Sequence, residues 1–312
     1  MGRIVYERRS RGIVRIEMKE EIRRFAEYLE AEKHASENTR VSYQRDLMQM
    51  AAFLEGMGIR ELSRVTRTAL NSYVLMLEKE GKAASTVSRN LASMKAFFGY
   101  EFKRGRIRKD PSESIHAPRI EKKAPVILTV EEVDRLLAQP SGDSAKEIRD
   151  KAMLELLYAT GIRVSELVGL TMEDVNLGVG FIICRDGQRE RMIPFGKAAG
   201  ESLKHYLDAA RGHLLKGKES PWLFTNCSGR PMSRQGFWKI VKFYGEKAGI
   251  ETDITPHTLR HSFAAHMISG GADLQSVQTM LGHADLATTQ AYITYLQKDP
   301  LRKAYTGAHP RK

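Results

Sequence analysis

Three short polar clusters interrupt otherwise apolar helical patterns, and each holds groups able to handle a phosphate. The first runs Thr160-Gly161-Ile162-Arg163-Val164-Ser165-Glu166-Leu167, an arginine at a helix start behind a glycine. The second is Pro256-His257-Thr258-Leu259-Arg260-His261, again at a helix start. The third runs from Leu281-Gly282-His283 to Thr288-Thr289-Gln290-Ala291-Tyr292. Taken singly, each has an ordinary structural explanation: arginine caps a neighbouring helix, histidine packs in a core, tyrosine lies on an amphipathic face. Taken together they hold the parts of a phosphoryl-transfer site. Two arginines can clamp a phosphate by bidentate hydrogen bonds, histidines exchange protons near neutral pH, and a tyrosine hydroxyl can attack phosphorus and conserve the ester as a covalent phosphotyrosine.

A metal is not expected in this chemistry. His257 and His261 are four apart, as on a zinc-binding helix, but Thr258 stands where that motif needs a glutamate. No DxD-type carboxylate cluster supplies ligands for a two-metal nuclease. Cys184 and Cys227 form neither a CxxC pair nor a Cys/His cluster. The sequence calls for no cofactor.

The elements that must position these groups read as mostly helical. Thr129-Val130-Glu131-Glu132 is a capping box, and apolar periodicity predicts helices over roughly 144–159, 165–170, 197–214, 233–248, 257–269, 273–281 and 287–295. One β signal lies among them. GFIIC and RMIPF are β-prone runs joined across Asp186-Gly187, a dipeptide favoured in tight hairpins, and a strand around Trp222-Leu223-Phe224 is expected beside them. Upstream, four amphipathic helices are marked by Ile22, Phe25, Ala26 and Leu29; by Tyr43, Leu47, Met50, Ala51 and Leu54; by Leu70, Tyr73, Val74 and Leu77; and by Val87, Leu91, Met94 and Phe98. Ser36 and Ser85 are the expected N-caps of the second and fourth. The stretch 103–125 carries three prolines and a dense basic run and reads as an extended linker.

Charge says what such a chain would meet. The 312 residues carry 50 Lys and Arg against 38 Asp and Glu, a formal net charge of +12. Residues 1–123 hold a surplus of +9 and the rest +3, so the N-terminal part is the more basic. A polyanion, DNA or RNA, is the natural partner on charge alone. Asn38, Thr39, Arg40, Arg45, Lys82, Ser85, Thr86 and Arg89, near the starts of the second and fourth helices, suit phosphate contacts. No run of about 18 apolar residues spans a membrane, and MGRIVYERRSRG lacks the apolar core of a signal peptide. A cytoplasmic location is expected.

The ordered set Arg163, His257-x-x-Arg260, His283 and Tyr292 resembles the tyrosine recombinase (phage integrase-type) superfamily, with its surroundings ATGIRVSELVGL, TPHTLRHSFAAHM and LGHADLATTQAY. Within it the chain is similar to the Xer recombinases over nearly its whole length. The resemblance implies a mainly α fold in three parts. These are an N-terminal four-helix DNA-binding domain (16–105), a basic interdomain linker (106–125), and a mostly helical catalytic domain with a small antiparallel β-sheet (126–312). It implies that Arg163 and Arg260 bind the scissile phosphate and His257 assists proton transfer. His283 would hydrogen-bond a phosphate oxygen, and Tyr292 would form a 3′-phosphotyrosine; Tyr295 is a competitor, but its spacing from His283 favours Tyr292. Glu166 would orient nearby basic groups. It further implies double-stranded DNA as the polyanion, with a homo- or hetero-tetramer on two DNA sites, joined by exchange of a C-terminal tail anchored by Leu296 and Leu301. A DNA translocase is the candidate regulator.

One position departs from the family. The hairpin turn should carry a lysine as general acid for the leaving 5′ oxygen; counting back from Glu190-Arg191 puts Asp186 there, and no lysine occurs from Phe181 to Gly196. Arg185 is the adjacent substitute, but a guanidinium with a pKa above about 12 donates protons poorly. Four readings follow from the sequence: resolution of chromosome or plasmid dimers through a Holliday junction, integration of a mobile element, a catalytically attenuated DNA-binding paralogue, and a type IB topoisomerase activity.

Overall fold

The computed structural model describes residues 18–116, 125–186 and 189–282. It divides into two compact units, residues 1–122 and 123–312.

In the first unit four helices enclose one apolar core: α1 (Met18–Ala31), α2 (Glu37–Gly56), α3 (Arg67–Lys79) and α4 (Ala84–Lys103). Ile22, Leu47, Met50, Leu54, Tyr73, Leu77, Phe97 and Phe98 lose essentially all contact with solvent, which contributes about 1.5–3 kcal/mol for each large side chain so enclosed. Ser36 caps α2 by accepting from the Thr39 amide. Ser85 does not cap α4: that helix starts two residues earlier, with Ala83 at the cap position and no side-chain cap bond. The stretch read as linker is also partly folded. Ile107 and Ile115 are buried in the helical core, and Asp110 accepts from the backbone and hydroxyl of Ser112 at 2.7 Å each. Two aliphatic side chains in a basic run show no periodicity, which is why the sequence hides them.

The unit's polar interior is uneven. Asp46 on α2 is buried and receives two hydrogen bonds from Arg89 on α4, at 2.7 and 2.9 Å. Tyr73 donates to Asn90 at 2.8 Å beside them. Glu101, by contrast, is fully buried with neither carboxylate oxygen hydrogen-bonded. Burial, and then the nearby Glu21, push its carboxyl up to about 7.

In the second unit the order is α5 (Val130–Leu137), α6 (Ala145–Thr160), α7 (Val164–Gly169), β1 (Val175–Asn176), β2 (Phe181–Asp186), β3 (Arg189–Pro194), α8 (Lys197–His205), α9 (Arg211–Leu215), α10 (Arg234–Lys247), α11 (Pro256–Ser269) and α12 (Leu274–Leu281). A π-turn over Tyr206–Ala210 joins α8 to α9 within the span expected as one helix. The sheet is antiparallel in the order β1-β2-β3, with Cys184 opposite Arg191 and Asp186 opposite Arg189. Its third strand is β1 and not the Trp222 segment. Trp222 makes only an isolated bridge to Thr171, while Leu223 and Phe224 are buried in the helical core. Among the described residues, no helix is long and apolar enough to cross a membrane.

Two predictions test the first unit. Folding raises the Glu101 carboxyl, so the folded chain holds the extra proton between its ordinary 4.5 and about 7; stability present below that window is lost as pH rises through it. Glu101→Gln is expected to raise the thermal midpoint at pH 8 and to give no advantage at pH 5. Arg89→Ala strands the Asp46 carboxylate and is expected to cost roughly 1–3 kcal/mol in urea melts, less than the ~3–5 of a fully enclosed pair because the arginine is partly solvated.

Candidate active site

The first two polar clusters meet at the last turn of α12, where Leu281-Gly282, the described part of the third, stands. Arg163 is the N-cap residue of α7, and Arg260 lies one turn into α11, whose start is fixed by the Thr255–Thr258 capping box and by Pro256. Arg260 is buried and donates to two carbonyls, Gly161 O and Leu281 O, at 2.6 Å each. Arg163 donates to Gly282 O at 2.8 Å and to Glu166 at 3.0 Å. A third arginine joins them from the sheet: Arg191 donates through Nε to Met280 O at 3.1 Å and to Glu166 at 2.7 Å. Three consecutive carbonyls, Met280, Leu281 and Gly282, thus each accept from a different arginine. The last carbonyls of a helix lack partners and carry partial negative charge, so cations fit there.

Two glycines make this approach possible. Gly161 ends α6 with φ +60° and has the Phe263 ring packed where a side chain would stand. Gly282 ends α12 with φ +63°, and a Cβ on it would lie 2.8 Å from the Arg191 guanidinium. Left-handed backbone costs other residues about 1–2 kcal/mol, and here the space is filled as well.

His257 stands on the same turn of α11 as Arg260, and its ring centre is 6.3 Å from that of His261. Burial, then the charges of Arg260 and Arg163, hold the His257 imidazole below its ordinary value. Burial, His257 and Arg260 do the same to His261. Both rings are therefore neutral at pH 7, and His257 is free to accept a proton. Burial works to raise the Glu166 carboxyl, but the bonds from Arg191 and the Arg163 amide, with both guanidinium charges, hold it below the usual carboxylate range. The arrangement sets two guanidinium groups, chemically suited to an anion, beside a neutral imidazole. No group of three or more His, Cys, Asp or Glu among the described residues could hold a metal ion.

The hairpin puts Arg185 and Arg191 on opposite faces. Ile182, Cys184 and Ile193 face the core, and Arg191 shares that face to reach Glu166. Arg185 takes the opposite face, where it donates to Glu190 at 2.8 Å and pairs with Asp174. Those two carboxylates raise the Arg185 pKa further, which argues against it as a proton donor. Asp186 is the last residue of β2, paired with Arg189. His283 and Tyr292, with Tyr295, Leu296, Leu301 and the helix expected over 287–295, lie outside the described residues.

Of the eight N-terminal candidates, Asn38, Thr39 and Arg40 lie on the first turn of α2 and Ser85 and Thr86 on that of α4, while Arg45 and Arg89 lie further along those helices and Lys82 precedes α4. Arg45 is exposed, Asn38 and Ser85 are exposed, and Thr86 is half-buried. Thr39 shares a hydroxyl contact with Ser36, Arg40 lies 3.6 Å from Glu30, and Lys82 lies 3.5 Å from Glu80. Arg89 is bound to buried Asp46, so its first role is structural. The sequence reading missed Arg191 and gave His261 no role. Inward alternation with Ile193 was the available signal for Arg191, but an arginine in a strand reads as solvated.

Residues 127–298 match the phage integrase family, and residues 22–105 match the phage integrase N-terminal SAM-like domain. The chain is 42% identical over 292 residues to a tyrosine recombinase XerD of Halalkalibacterium halodurans, covering 93% of this chain and 97% of the relative. The solved XerA recombinase is similar at 28% identity with a TM-score of 0.53, over 95% of this chain and 100% of that one. A Tn1549 transposon integrase in complex with transposon right end DNA shares the fold, with a TM-score of 0.71 at 20% identity over 94% and 99% of the two chains.

The close packing at Gly161 gives a direct test. Gly161→Ala adds both backbone strain and a collision with Phe263, and is expected to cost on the order of 2–4 kcal/mol in chemical denaturation. Gly169→Ala, in open space within α7, is the control and is expected to be neutral or better.

Proposed function

Because the chain belongs to the phage integrase family, as a Xer-type tyrosine recombinase, we propose that it cuts and rejoins DNA through a 3′-phosphotyrosine on Tyr292. Its activity is DNA strand transfer at specific sites. The observation that carries the finer reading is the convergence of Arg163, Arg260 and a neutral His257 ahead of the segment that bears His283 and Tyr292.

In the proposed reaction the scissile phosphate lies between the Arg163 and Arg260 guanidinium groups, which stabilise the charge of the pentacoordinate transition state. His257 takes the phenolic proton as the Tyr292 oxygen attacks phosphorus. His283 donates a hydrogen bond to a non-bridging oxygen. The bond from phosphorus to the 5′ oxygen breaks, leaving a 3′-phosphotyrosine, and the 5′ oxygen acquires a proton to become a hydroxyl. The reverse attack by a 5′-hydroxyl from a second duplex rejoins strands without ATP, since the ester is conserved. No metal ion takes part. Two recombining sites exchanged in this way pass through a Holliday junction, in a tetramer joined by C-terminal tails. Resolution of chromosome or plasmid dimers is the task this best fits, with a DNA translocase as regulator.

The leaving-group proton is the weak point. Asp186 stands at the lysine position, and Arg185 is engaged with Asp174 and Glu190 on the other face of the sheet. We propose that water protonates the 5′ oxygen and that cleavage is slow for that reason. The same observation favours a second reading, a DNA-binding paralogue with attenuated catalysis.

A nicked suicide duplex carrying the target site tests both. The wild-type chain is expected to accumulate a covalent protein–DNA product, and Tyr292→Phe to abolish it while still shifting the duplex in a gel. A product that persists in Tyr292→Phe removes the assignment. Asp186→Lys is expected to speed single-turnover cleavage; an unchanged rate removes the missing acid as its cause. The pH profile supplies a third check. His257 is depressed by burial and by its arginines, so the cleavage rate is expected to hold down to pH 6.5 and to fall only below it. An acid limb centred above that value would remove His257 as the base.

A further inference from the structure

Arg191 sits where three parts of the catalytic unit meet. It projects from β3, is only 12% exposed, and divides its donors between the Glu166 carboxylate on α7 and the Met280 carbonyl on α12. Glu166 is itself 8% exposed and uses its other oxygen on Arg163. The chain from Arg163 through Glu166 and Arg191 to Met280 is therefore unbroken, at 3.0, 2.7 and 3.1 Å. The same guanidinium occupies the space that a Cβ on Gly282 would need, and the glycine's left-handed conformation disfavours any side chain. Immediately after Gly282 the sequence continues into His283 and, nine residues later, Tyr292.

We infer that Arg191 is a positioning residue for cleavage: it pins the last turn of α12 to the hairpin and to Glu166, and so sets both the Arg163 guanidinium and the starting point of the segment that carries His283 and Tyr292. This rests on the reading of Tyr292 as nucleophile. Its physical basis is the planar guanidinium, whose donors point in fixed directions and satisfy a carboxylate and a carbonyl at once; an ammonium at the end of a lysine chain lacks that fork. A displaced starting point would misalign attacking oxygen and phosphorus, and misplacement by about 1 Å costs on the order of 100-fold in rate. DNA affinity, which comes chiefly from phosphate contacts elsewhere, would be untouched.

The experiment compares the full chain with Arg191→Ala and Arg191→Lys by three readouts. Amide hydrogen exchange on the protein alone is expected to rise about tenfold or more over residues 278–282 in Arg191→Ala, with the core of α6 unchanged. Single-turnover cleavage of the nicked duplex at saturating DNA is expected to fall by about 10–100-fold in both variants, while the Kd for that duplex stays within about twofold of wild type. Added guanidinium ion is expected to restore part of the Arg191→Ala rate, which a general loss of folding would not allow. The inference is overturned by unchanged exchange over 278–282, by a cleavage rate equal to wild type, or by a rate loss that matches the fraction unfolded in a thermal melt. A wild-type chain that forms no covalent product, with exchange still freed in Arg191→Ala, favours the attenuated reading and overturns the role in cleavage while leaving the pin in place.

Discussion

The catalytic unit is organised around the end of one short helix. The Met280, Leu281 and Gly282 carbonyls at the C-terminal end of α12 each accept from an arginine, and the three arginines come from the N-cap of α7, from α11 and from β3. Those elements are distant in sequence; they share one apolar core through Leu167, Leu259 and Ile193, and this turn gives their arginines a common polar reference point. A helix terminus is well suited to the task. Its carbonyls need donors, they are fixed relative to one another by the helix, and they hold a guanidinium without cancelling its charge. A carboxylate in the same position would fix the arginine equally well but would oppose the binding of phosphate.

Glu166 shows the limit of that economy. One carboxylate is placed here after all, but it is shared between Arg163 and Arg191, so neither guanidinium is matched by an acid of its own within the triad. The histidines respond to the same field. Burial and the two arginine charges keep His257 neutral, which is the protonation state a base requires. The features that hold the arginines and the feature that prepares the base are therefore one electrostatic arrangement.

Much of this was legible in the sequence because the motifs combine a chemical group with the backbone that seats it. Gly161 before Arg163 and Gly282 before His283 mark left-handed helix ends, and Thr255-Pro256 marks the start of α11; each is local, and local signals survive in one dimension. The misses are of two kinds. Some elements were too short to carry a period, as with the two-residue strand β1 and the inward Ile107 and Ile115. Others depend on a partner far along the chain. Arg89 looked like a phosphate contact because nothing near it announces Asp46, and Arg191 drew no role because Glu166 and Met280 lie 25 and 89 residues away.

The hairpin turns this contrast into a constraint on mechanism. Arg185 is next to the position where a general acid is needed, and sequence adjacency made it the substitute. In a strand, adjacency means the opposite face. Cys184 and Arg191 define the face that meets Glu166, and Arg185 lies on the other, held by Asp174 and Glu190. For it to serve, the strand would have to slip by one residue, which would carry Ile182 and Cys184 out of the core and Arg191 away from α12. That slip would dismantle the pin that seats the other arginines. As folded, the hairpin engages Arg185 with Asp174 and Glu190 on the face away from Glu166, so the proposed mechanism takes the proton for the leaving oxygen from another group.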